Sequence, residues 1–85
     1  MTPKKIKLYQ RVSLTRDIPE HNLYKGDVAV VVEHLPRTAA SSGEDGYALE
    51  VFNAIGETIA VVMVAASSVK PLTEHEILQV RSLRP

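Results

Sequence analysis

The chain has no cysteine and no tryptophan, one phenylalanine and only four glycines among its 85 residues. Without cysteine there is no disulfide to staple the fold and no thiolate to hold a metal, which suits a reducing cytoplasm. The four glycines never gather into a phosphate-cradling loop. No uninterrupted apolar stretch approaches the roughly 20 residues of a membrane-spanning helix. The basic start, Met1 to Leu8, is not followed by the apolar core of a secretion signal. A soluble, cytoplasmic protein is expected. An excess of charge is missing as well, because ten basic and ten acidic residues cancel. Dedicated nucleic-acid binders are usually strongly basic, since counterion release drives their affinity. Neutrality argues against that role, although a local basic patch can survive it, and it also removes the self-repulsion that keeps small proteins apart.

What the chain does have is β-branched apolar sequence. Val28 to Val32 and Ile59 to Val64 form two dense runs, announced by Lys25-Gly26-Asp27 and Ile55-Gly56-Glu57. Such runs, bounded by turn residues, predict buried strands of a small all-β domain. A first strand is expected over Ile6–Thr15, where Ile6, Leu8, Gln10, Val12 and Leu14 alternate with Lys7, Tyr9, Arg11 and Ser13. Arg16 to Asp27 is punctuated by Pro19, Asn22 and Gly26, and its apolar Ile18, Leu23 and Tyr24 predict a loop that folds back onto the domain. Further strands are expected at Asp27–Leu35, Tyr47–Asn53 and Thr58–Val64. Pro36 to Gly46 reads as a long mobile connection, and Ala54 to Glu57 as a tight hairpin turn. Ala65–Ser68 reads as a 3₁₀ turn before a short fifth strand, Val69–Leu72, which Pro71 confines to an edge.

Thr73 and Glu76 have capping-box spacing, flanked by Leu72 and Ile77 as a hydrophobic staple, so a C-terminal helix is predicted over Glu74–Arg81. The expected architecture is an SH3-like barrel of about five strands over residues 1–72, with a helix and tail over 73–85. An OB-like barrel is the alternative, and it normally needs more chain.

Several stretches resemble one uncharacterised bacterial family. They are Leu8 to Val12, Arg16 to Glu20, Lys25 to Val28, Val31 to Glu33, Asp45 to Tyr47, Leu49 to Asn53, Gly56 to Thr58, Ala60 to Val62 and Val80 to Leu83. That family is catalogued as domain of unknown function 4926. The resemblance implies a small β-barrel protein, with no assigned activity and no functional residues to carry over.

Catalytic patterns are absent from the residues themselves. His21, His34 and His75 do not pair at metal-ligand spacing, and no serine stands in a nucleophile setting. Asp17 with Glu20, Glu44 with Asp45, and Glu74 with Glu76 lie in polar segments where water would hold them at ordinary pKa values. Gly43 to Gly46 lacks the alternating oxygen ligands of a calcium loop. No enzyme activity, metal, cofactor or small-molecule substrate is implied. Lys4, Lys5, Lys7 and Arg11 form the one basic cluster, a candidate nucleic-acid contact or else a solubilising strand face. The aromatics are too few for a proline-rich peptide groove.

The fourth strand is apolar on both faces: Ala60, Val62 and Val64 on one, Ile59, Val61 and Met63 on the other. Phe52 on the neighbouring strand is expected to point outward beside the second set. Leaving such side chains in water forfeits roughly 1.5–3 kcal/mol each. The expected covers are the C-terminal helix, through Ile77, Leu78 and Val80, and a second copy of the protein. The candidate interface is therefore Phe52, Ile59, Val61, Met63, Ile77 and Val80. The expected role is a non-catalytic protein–protein interaction module that self-associates. The alternatives are a nucleic-acid-associated accessory protein and an antitoxin-like partner of a neighbouring gene's product.

Overall fold

The computed structural model describes residues 6–37 and 43–83. The fold is all-β: β1 (Arg11–Leu14), β2 (Val28–Leu35), β3 (Gly46–Phe52), β4 (Thr58–Ala65) and β5 (Val69–Pro71). The five strands form one antiparallel sheet in the order β4-β3-β2-β1-β5. β2 is the pivot: its start pairs with β1 and its remainder with β3, through a register shift between Val31 and Glu33. Such a bulge bends the strand and increases its local twist. Among the described residues no strand pairs β4 to β5, and the sheet keeps two edges. The expected barrel is thus present only as an open five-stranded sheet.

The period-2 pattern of the strands is realised in the core. Val12, Val31 and Leu49 are fully buried, and Leu14, Ala29, Val51, Val62, Val64 and Val69 pack with them. Ile18 and Leu23 of the first long loop close one end of this cluster, joined by an isolated bridge around the 3₁₀ turn Pro19–His21. The apolar handles of that loop fold back as expected, except that Tyr24 stays exposed. A second 3₁₀ turn, Ala66–Ser68, precedes β5, as its residues predicted. It is tied to β1 through the Thr15 amide, which donates to the Ser68 carbonyl at 2.8 Å, and the Thr15 hydroxyl, which donates to the Ser67 carbonyl at 2.8 Å.

Two elements differ from the sequence-based expectation. The first strand starts at Arg11, not Ile6, because Tyr9 adopts φ +66° and the Gln10 amide closes a turn onto the Lys7 carbonyl. Ile6 remains buried, but Leu8 is turned out into solvent. The larger correction is the C-terminus: residues 73–83 contain one hydrogen-bonded turn, Thr73 to Glu76, and no helix. Half of the capping box forms, with the Thr73 amide donating to Glu76 Oε1 at 2.8 Å, and Lys70 takes the other carboxylate oxygen. Eight residues gain too few helical bonds to offset nucleation without a packing partner. The irregular tail instead brings Arg81 to Asp27 at the start of β2. The middle of the predicted mobile connection, residues 38–42, lies outside the described residues.

Candidate protein interface

β4 divides its side chains as the alternation requires. Val62 and Val64 are buried and Ala60 is half-buried against the core, whereas Ile59, Val61 and Met63 are 43%, 63% and 72% exposed. Phe52 points outward as expected, at 38% exposure, just past a register shift between β3 and β4. The predicted helical cover does not form, and of its residues Ile77, Leu78 and Val80 are 93%, 52% and 87% exposed. Without a helix, the apolar side chains of the tail gather on no helical face. An uninterrupted apolar strip therefore runs along the outside of the terminal strand.

Asn53 organises the turn of the β3–β4 hairpin that presents this strip. Asn53 Oδ1 accepts from the Ile55 and Glu57 amides at 3.1 and 2.9 Å, and its Nδ2 donates to Glu57 Oε1 at 2.8 Å. Gly56 follows at φ +86°, the left-handed conformation that glycine adopts without a Cβ penalty. Its amide donates to the Asn53 carbonyl.

Beside the strip lies an open groove of about 870 Å³ between the sheet and the tail. Phe52, Ile55 and Ile59 line one side, Val80 and Leu83 the other, and Arg11 and Val30 contribute from β1 and β2. The tail is latched there by Arg81. Its Nε and Nη2 donate to the two carboxylate oxygens of Asp27 at 2.7 and 2.6 Å, and its Cζ lies 4.6 Å from the centre of the Tyr24 ring. Asp27 Oδ2 also accepts from the Tyr24 amide at 2.8 Å. Partial burial pushes Asp27 upward, but the Arg81 and Tyr24 hydrogen bonds and the Arg81 charge outweigh it and hold the carboxyl below its usual range. The Asp27 hydrogen bonds and charge raise Arg81 in turn, against a smaller desolvation effect.

The structure thus brings Phe52, Ile59 and Val80 to one groove, leaves Val61 and Met63 on the adjoining open strip, and places Ile77 in neither. Of the basic cluster, Lys4 and Lys5 lie outside the described residues. Arg11 stands in the groove wall, while Lys7 sits exposed in the turn that precedes β1. The two do not form a stripe, because the chain turns between them. Sequence reasoning missed Asp27, Tyr24 and Arg81. Nothing local to Asp27 signals a partner 54 residues away.

Several of the carboxylates read as solvated are engaged by nearby groups. Asp17 accepts from the Lys25 amide at 2.8 Å, and Glu44 accepts from the Ser67 amide and hydroxyl at 2.9 and 3.2 Å. Asp45 accepts from the Arg37 amide at 3.0 Å and lies 3.0 Å from His34 Nε2. The His34 hydrogen bond is the main reason the Asp45 carboxyl sits below its usual range; desolvation opposes it, and the Arg37 amide and the electrostatic pull of His34 and Arg37 add to it. These contacts fasten loops to strand ends. Among the described residues, no group of three or more metal-ligating side chains converges, and no helix is long and apolar enough to cross a membrane.

One family model, described as Domain of unknown function (DUF4926), matches residues 8–71. No curated protein and no solved structure matches the chain.

Proposed function

Because the chain belongs to the DUF4926 family, whose description names no activity, we propose from its own geometry that it is a non-catalytic interaction module that self-associates. One observation carries this reading: Ile59, Val61 and Met63 stand exposed in a row on a strand that has no charged residue from Thr58 to Ala65. Exposed apolar side chains scattered singly are ordinary on a protein surface; a contiguous row on a regular element marks a contact site. Zero net charge supports the same reading, since two copies approach without long-range repulsion. The strand order, the irregular 15–27 segment between β1 and β2, and the 3₁₀ turn before β5 support an SH3-like arrangement. In this reading the bulged β2 carries the sheet into an SH3-like barrel, with the outer strip on its wall. Fold alone assigns no role, so the proposal rests on the strip.

Sedimentation velocity across a range of protein concentrations tests it. The expected result is a shift from the 9.4 kDa chain to twice that mass as concentration rises. A single monomeric species at every concentration overturns the proposal.

A further inference from the structure

The free edge of β4 indicates how a second copy would bind. The Ala66 amide donates to the Asp45 carbonyl at 2.8 Å, which makes Gly46 and Ala65 a non-hydrogen-bonded pair of the β3–β4 ladder. Hydrogen-bonded and non-hydrogen-bonded pairs alternate along an antiparallel ladder. Tyr47 with Val64 and Leu49 with Val62 are therefore the bonded pairs. It follows that the amides and carbonyls of Val62 and Val64 face β3, while those of Val61 and Met63 face away from the sheet. Among the described residues, no backbone bond from another element reaches them.

The two edges of the sheet are unlike. β5 is three residues long and carries Lys70 and Pro71, both of which deter strand addition. β4 is eight residues long, Thr-Ile-Ala-Val-Val-Met-Val-Ala, with no lysine, no proline and no glycine. A long, apolar edge with its hydrogen-bonding groups open is a template for another strand.

We infer that two copies of the chain pair antiparallel through β4, edge to edge, about a two-fold axis beside Val62. In that register Val61 lies opposite the second copy's Met63, and Met63 opposite its Val61. Each such pair exchanges two backbone hydrogen bonds. The strand is self-complementary in this arrangement: it has no charge to set against a like charge across the axis, and the same patch serves both copies. A shift by one residue would bring the outward groups of one copy against the already bonded groups of the other, so only even shifts form bonds. Ile59, Val61 and Met63 of both copies then share one face and pack across the new strand pair. This inference rests on the proposed self-association and adds the surface and the register.

Backbone amide exchange measured by NMR on the unaltered protein, at low and at high concentration, tests it. The Val62 and Val64 amides are expected to be protected at both concentrations. The Val61 and Met63 amides are expected to exchange freely when dilute and to slow by about tenfold or more when concentrated. If sedimentation detects a dimer but the Val61 and Met63 amides keep their dilute rates, edge pairing is overturned and self-association through another surface survives. If the protein stays monomeric at every concentration, both readings fall together.

Discussion

The Asp27–Arg81 latch makes a sharp prediction, because its strength and the cost of what it holds can be set side by side. Arg81 donates two hydrogen bonds to one carboxylate and stacks on Tyr24. Buried charge-assisted hydrogen bonds contribute about 1.5–3 kcal/mol, whereas fully exposed ion pairs contribute about 0–1 kcal/mol. The side chains of Asp27 and Arg81 are 18% and 33% exposed, so the lower part of the span applies and solvent screening reduces it further. The latch is therefore worth about 1 kcal/mol.

Against that stands the backbone entropy of the tail, about 1–2 kcal/mol for each ordered residue, while Ile77 and Val80 bury almost nothing in return. The tail should open far more easily than the sheet unfolds. Arg81→Ala is accordingly expected to change global stability in urea by less than about 1 kcal/mol. The same variant should drop the ¹H–¹⁵N heteronuclear NOEs of residues 77–82 toward those of a free chain. The NMR-titrated pKa of Asp27 should rise, because burial then acts with only the Tyr24 amide opposing it. The sign of the pH dependence follows. With its folded pKa depressed, Asp27 contributes stability that is complete above the unfolded carboxyl value and is lost as pH falls through the folded value. Tail release on acidification should lie below the ordinary aspartate range. Unchanged tail NOEs in Arg81→Ala, or an Asp27 titration that does not move up, would refute the reasoning.

Val61→Lys combined with Met63→Lys should leave a folded monomer within about 1 kcal/mol of the parent, because both side chains are mostly exposed, and should abolish association in sedimentation; unfolding of the variant in dilute solution would mean that this face is covered within the chain. Gly46→Ala should cost roughly 1–3 kcal/mol in chemical denaturation, since a Cβ there would stand 2.7 Å from the Val64 carbonyl oxygen and force β3 and β4 apart. A melting curve matching the parent's would show that the ladder yields at no cost. Asn53→Ala should lose about 1 kcal/mol by releasing the Ile55 and Glu57 amides of the hairpin, and fast amide exchange confined to residues 53–57 would report it.

The strands were legible because their cause is local. Alternation along Gly46–Phe52, the valine runs and the turn glycines each act within a few residues, and β2, β3 and β4 lie within a residue or two of where the pattern puts them. The outward set Phe52, Ile59, Val61 and Met63 was readable for the same reason, since parity along a strand decides the face. The tail was misread because its capping signal is also local, yet Glu76 has a competing partner in Lys70 and Arg81 has one in Asp27. Local propensity over eight residues is a small preference, and one long-range ion pair is enough to set it aside.

By itself, then, the amino-acid order determined that this chain forms short, two-faced strands and that one of them is apolar on both sides. The absence of cysteine also excludes disulfides and thiolate metal sites within these 85 residues. Three things were decided only by the tertiary structure: that this strand lies at an edge with its outer groups unbonded, that the tail forms no helix, and that Gly46 has no room for a side chain. Each depends on which distant segment lies alongside. Pairing across a sheet is chosen by the free energy of the whole fold, whereas strand periodicity is written into the side chains one after another.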